Sequence, residues 1–158
     1  MWAPYICPFE VTITAAADLV EVNPAVDMPI VISSMFIYVT SELAEAQEEW
    51  LEVEIQRGGT AITSGSGGST AASALATTPK LPASGFQFEA NNTTLATFTG
   101  GTTPWRGSFN VRAGGEFRFN PEEYVGCVDG NGGMVVRLPN APTDSIDLKG
   151  SVHVLEWL

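Results

Sequence analysis

The sequence predicts an all-β fold, an antiparallel two-sheet sandwich or closed barrel, and with eight strands a two-sheet sandwich of jelly-roll type, on three observations. Apolar residues recur mostly at every second position, clusters of glycine, proline and asparagine punctuate the chain, and only one short stretch has a helical period. The clearest strand is Trp50–Arg57, where Leu51, Val53 and Ile55 share one face and Glu52, Glu54 and Gln56 the other. The chain end repeats this: Ile146, Leu148, Val152 and Val154 alternate with Asp147, Lys149, Ser151 and His153, until Leu155 and Trp157 break phase. Further strands are expected at 9–15, 19–22, 86–90, 94–99, 108–113, 116–119 and Met134–Leu138. Turn signals such as Asn23-Pro24, Gly100-Gly101, Gly114-Gly115 and Pro139-Asn140 separate them. The helical candidate is 41–49, with Ser41 as cap and acids crowding its first turn.

Two segments depart from simple alternation. In 29–39, one phase holds Ile30, Ile32, Phe36 and Tyr38 and the other Val31, Met35, Ile37 and Val39. Both faces are therefore apolar, whereas an antiparallel sandwich strand normally shows one face to water. The second face, with Val31, Met35 and Ile37, is accordingly expected to be covered by a loop or the N-terminal arm, or to meet another subunit or a partner. The second segment, 58–85, is rich in glycine, serine, threonine and alanine, carries Lys80 as its single charge, and reads as a long flexible loop. Ser64-Gly65-Ser66-Gly67-Gly68-Ser69 within it lacks the Gly-Lys-Ser/Thr ending of a phosphate cradle. Residues 11–158 form one expected domain. Residues 1–10, broken by Pro4 and Pro8, are expected as an extended arm offering Trp2, Tyr5, Ile6 and Phe9 to a neighbour.

Charge narrows the class of partner. The net charge is −11, and all ten charged residues before Arg57 are acidic, so the field opposes nucleic acid and anionic lipid. No nucleic-acid or membrane partner is expected; a cationic protein surface facing Glu52 and Glu54 is. The start of the chain has no basic n-region, and its longest apolar run, 11 residues at 29–39, is too short to span a bilayer as a helix. Synthesis in the cytoplasm is the expectation.

Catalytic chemistry is sparsely provided for. There is one histidine, His153, and Cys7 and Cys127 lie far apart without CxxC spacing, which reads as two buried or idle thiols. Asp129-Gly130-Asn131-Gly132 resembles the opening of a calcium loop but lacks its later glycine and glutamate, so a hairpin turn is the reading and no metal or other cofactor is expected. No paired carboxylates, serine elbow or catalytic histidine site follows from the spacing. The four tryptophans, Trp2, Trp50, Trp105 and Trp157, can stack on sugars. Trp105, between Pro104 and Arg106 in an expected loop, is the foremost of these.

Several stretches carry a resemblance. They are Thr40-Ser41-Glu42, Ala46-Gln47-Glu48-Glu49-Trp50-Leu51, Glu89-Ala90-Asn91-Asn92-Thr93-Thr94, Phe109-Asn110-Val111-Arg112-Ala113-Gly114, and 136–145, Val-Arg-Leu-Pro-Asn-Ala-Pro-Thr-Asp-Ser. Together they resemble a family of small virion structural proteins of tailed phages and prophages, over most of the chain from Pro29 onward. The resemblance implies a capsid decoration (cement) protein of jelly-roll type on the virion exterior, a homo-oligomer in trimeric form, with the major capsid protein as partner and no catalytic residue. A carbohydrate-binding or host-adhesion module stands as the alternative.

Overall fold

The computed structural model describes residues 1–41, 48–128 and 132–158. The strands in chain order are β1 (Trp2–Ile13), β2 (Ala17–Asn23), β3 (Ile30–Val39), β4 (Trp50–Arg57), β5 (Ala61–Thr63), β6 (Ala72–Ser73), β7 (Leu75–Ala76), β8 (Gln87–Asn92), β9 (Thr97–Thr99), β10 (Thr102–Asn110), β11 (Gly115–Arg118), β12 (Val125–Cys127), β13 (Met134–Leu138) and β14 (Ile146–Trp157). One sheet runs β11-β3-β14-β1-β7 with β12 also on β3; the other runs β10-β4-β13-β2-β8-β6; β5 and β9 form a small separate ribbon. The protein is an antiparallel all-β sandwich. Its long strands pair as a rolled hairpin, β1 with β14, β2 with β13, β3 with β11 and β4 with β10. The expected helix falls mainly on residues 42–47, and the Asp129 turn on 129–131; both lie outside the described residues.

The residues at 1–10 are not an arm. All twelve residues of β1 pair with β14, and Ala3, Tyr5, Cys7 and Phe9 alternate into the core. Burying those side chains stabilises the strand by roughly 1.5–3 kcal/mol for each large one, more than an extended arm in water recovers. The two prolines fit because of which edge they face. The Pro4 carbonyl accepts the Thr77 N–H on the β7 side (3.2 Å), and a strand residue's N–H and C=O point the same way, so the missing donors lie on the sparsely paired β7 edge.

A bulge explains the doubly apolar appearance of 29–39. His153 pairs with Ser34 and Val154 with Ile32, so Ser33 is an extra residue that shifts the phase. Ile30 and Ile32 before it, and Met35 and Ile37 after it, all point into the core; Val31, Phe36 and Tyr38 point out. Met35 and Ile37 therefore cannot belong to an interface, which corrects the sequence reading.

Nor is 58–85 a free loop. Strand β6 joins the second sheet and β7 the first, so the segment crosses the open edge of the sandwich, with Ala74 buried at the crossing. The Ser84 hydroxyl accepts the Ala74 N–H (2.8 Å) and donates to the Phe86 carbonyl (2.9 Å). Buried carboxylates staple down this region and the turn before β9. Glu21 accepts the Gly65 N–H (2.9 Å), Glu156 those of Gly85 (3.0 Å) and Phe86 (2.9 Å), and Asp18 that of Ala96 (2.7 Å). Asp18 also takes both sides of the Arg137 guanidinium, Nη2 at 3.0 Å, while Arg137 donates to Gln56 (2.9 Å) and to the Ala96 carbonyl (2.7 Å). The alternation that sends Leu51, Val53 and Ile55 inward holds as expected.

Candidate interaction surfaces

The outer face of the first sheet is built from the outward phases of β1, β14 and β3, and their register places the side chains in rows. Trp2 stands opposite Trp157; Pro4 opposite Leu155, which stands opposite Val31; Ile6 opposite His153, with Leu75 on its other side; Pro8 opposite Ser151, which stands opposite Phe36. The next row changes character, to Glu10, Lys149 and Tyr38, with Lys149 Nζ 2.7 Å from Glu10. One half of this face is thus apolar and the other charged. The Trp2 and Trp157 rings meet edge-on at 5.3 Å yet remain 42% and 47% exposed, and Tyr38 and Leu75 are 47% and 59% exposed. Outward strand positions of a sandwich normally carry polar residues, so this half-face is unusually apolar for its position.

Of the residues expected to form an arm interface, Trp2 and Ile6 lie on this face. Tyr5 and Phe9 do not: Tyr5 is buried edge-on against Phe86 at 5.6 Å with its hydroxyl donating to the Pro82 carbonyl, and Phe9 is in the core. Val31 lies on the face. Phe36, Leu155, Pro4 and Pro8 were missed as members of it. Their signal was present in the sequence as the Trp2-Pro4-Ile6-Pro8 alternation and as the Leu155-Trp157 break in phase.

The acidic face is smaller than the charge count implies. Glu52 is half-buried, with Arg106 Nε at 4.0 Å and the Asn140 amide at 3.4 Å. Glu54 is buried, paired with Arg106 (3.3 Å) and accepting a hydrogen bond from Gln56. With Asp18 and Glu21 also buried, three of the described acids of the first third are internal, holding backbone and arginine in place. Glu54 is therefore no solvent-facing contact for a cationic partner, contrary to expectation.

Trp105 is in a strand and not a loop. It projects from β10, the edge of one sheet, toward β11, the edge of the other, where the sheets part. Its ring meets Phe117 at 5.0 Å and Phe119 at 5.4 Å, both edge-on. Pro104, Glu116, Arg118, Glu123 and Val125 complete a cleft of about 570 Å³. Two glycines make room for the rings. A Cβ at Gly107 would stand 2.5 Å from the Trp105 indole, and one at Gly115 2.8 Å from the Phe117 ring.

The titratable groups are structural in setting. Burial pushes the Cys127 thiol up to about 12 and Cys7 further still, so neither is a thiolate nucleophile at neutral pH. Desolvation, and then the Arg118 charge, hold His153 below its ordinary value. Among the described residues no cluster of histidine, cysteine, aspartate and glutamate could hold a metal ion, and no helix is long and apolar enough to cross a membrane. Comparison with family models, with curated proteins and with solved structures returns no match to this chain.

Proposed function

We propose that the protein is a virion structural protein of the tailed-phage type, which docks as an oligomer, a trimer, on the capsid exterior and stabilises the head. Its role is to add contact area between capsid subunits, not to catalyse a reaction. The observation that carries the reading is the apolar half-face of the first sheet, where Trp2, Trp157, Pro4, Leu155, Val31, Ile6 and Phe36 stand in adjacent rows. Buried against a partner, each large side chain there contributes on the order of 2 kcal/mol, enough for a few to anchor a small protein. The charged row of Glu10 and Lys149 then lies at the rim, where it steers encounter more than it adds affinity. The strand pairing order, first half against reversed second half, supports the jelly-roll form of sandwich that the resemblance implies.

The test is cosedimentation of the protein with purified phage heads lacking it, together with sedimentation velocity of the protein alone. Multimers that bind heads are expected. Ile6→Lys and Phe36→Lys should each remain folded, because both positions are outward, yet lose assembly or head binding. Head binding unaffected by both substitutions would remove the face from the mechanism, and absence of head binding by the unaltered protein would refute the function.

A further inference from the structure

The cleft at the β10–β11 edge has a composition that the docking face does not share. Its walls are aromatic, Trp105 from one sheet and Phe117 and Phe119 from the other, and its rim carries Glu116, Arg118 and Glu123. These rim groups are held in place. Glu116 accepts from the Tyr38 hydroxyl (3.3 Å) and lies 3.8 Å from Arg118; Glu123 accepts the Asn120 backbone N–H (3.0 Å) and side-chain amide (3.1 Å); Arg118 lies over the Phe36 ring at 4.9 Å. The indole is set as firmly, because only glycine at 107 leaves space for it. A glycine inside a strand weakens the strand and often marks a close approach, and here the close approach is by a partly buried tryptophan, packed on one side against the core, whose polar neighbours are already oriented.

We propose that this cleft binds a neutral saccharide, with one pyranose ring packed on Trp105. The chemistry of the walls and rim selects this class. A wholly apolar ligand would strip water from two carboxylates and a guanidinium without pairing them. An anion meets Glu116 and Glu123, and a cation meets Arg118, whose side chain is 72% exposed. A pyranose ring has an apolar face of C–H groups for the indole, and a belt of hydroxyls that donate to carboxylates and accept from guanidinium. The volume, about 570 Å³, lies within the range of small-molecule sites and suits one or two rings. The site adjoins one edge of the docking face, where Arg118 lies over Phe36, but Ile6 stands on β1, beyond β3 and β14, and does not line the cleft.

The experiment is titration of the full-length protein with maltotetraose, cellotetraose and chitotetraose, each followed by isothermal calorimetry and by the indole Nε1–H resonances of the four tryptophans. Binding of at least one of these, with a Kd of about 1 mM or tighter, is expected to move the Trp105 resonance and leave that of Trp157 in place. Trp105→Ala should weaken binding about tenfold or more, and Ile6→Lys should leave it unchanged. The resonance assay on the unaltered protein decides the question even where Trp105→Ala fails to fold. No binding of any of the three at about 10 mM, binding that moves Trp157 and not Trp105, or preference for a sialylated oligosaccharide or a proline-rich peptide would each overturn the proposal.

Discussion

Arg137→Met offers the sharpest test of how the turn at Ala96, before β9, is held. The Asp18 side chain is fully buried and Arg137 is 10% exposed, so removal of the guanidinium leaves a buried carboxylate with the Ala96 N–H as its remaining donor. Breaking such a pair from one side costs about 3–5 kcal/mol. For a chain of this length each kcal/mol lowers Tm by about 2–4 °C, so a fall of roughly 6–20 °C is expected by calorimetry at neutral pH. Guanidinium titration should show a lower midpoint with an unchanged slope. Combining Asp18→Leu with Arg137→Met removes the orphaned charge and should recover part of the loss. The remainder reflects the Ala96 N–H and C=O, each about 1–3 kcal/mol when left unpaired. A single Arg137→Met variant within about 1 kcal/mol of the parent would refute the reasoning, as would a double variant less stable than either single.

Other outcomes follow from the same packing. Met35→Lys places an unpaired charge in the core and should abolish folding, in contrast to the outward Ile6→Lys, as circular dichroism of the two would show. Both thiols should resist a thiol-reactive dye in the native protein and react fully in denaturant, since burial raises both pKa values. His153 should titrate by NMR below 6.5, and Arg118→Gln should move it partway back, because burial is the larger cause. Since the folded value is the lower one, protons favour the unfolded chain. The contribution of His153 is complete above 6.5 and shrinks as pH falls toward the folded pKa, so His153→Gln should flatten the stability profile there.

The sandwich was legible because alternation is a local signal. Trp50–Arg57 and Ile146–Trp157 announce their inner faces residue by residue. What stayed hidden depends on pairing partners distant in sequence. The prolines of β1 mask a strand whose register comes from β14, and the Ser33 bulge can be located only against His153 and Val154. Buried carboxylates were hidden for the same reason: Asp18, Glu21 and Glu156 look like solvated charges until backbone N–H groups 78, 44 and 70 residues away in the chain fold over them. The Trp105 cleft was half legible. The residue was visible, but Phe117 and Phe119 join it from another sheet.

The amino group of Met1 donates to the carbonyl of Leu158 at 2.7 Å, and β1 lies hydrogen-bonded along β14 for its whole length. During synthesis this has a temporal consequence. At about 5–20 residues per second, the ribosome holds the first strand for some 8–30 seconds before its partner emerges. Throughout that interval Tyr5, Ile6, Phe9 and Ile13 are unprotected, so the nascent chain is a natural client for chaperones that shield apolar strands. The native sheet closes only after β14 has emerged, in a late event joining strands more than 130 residues apart in the chain, and that event, not the local hairpins, should set the folding time.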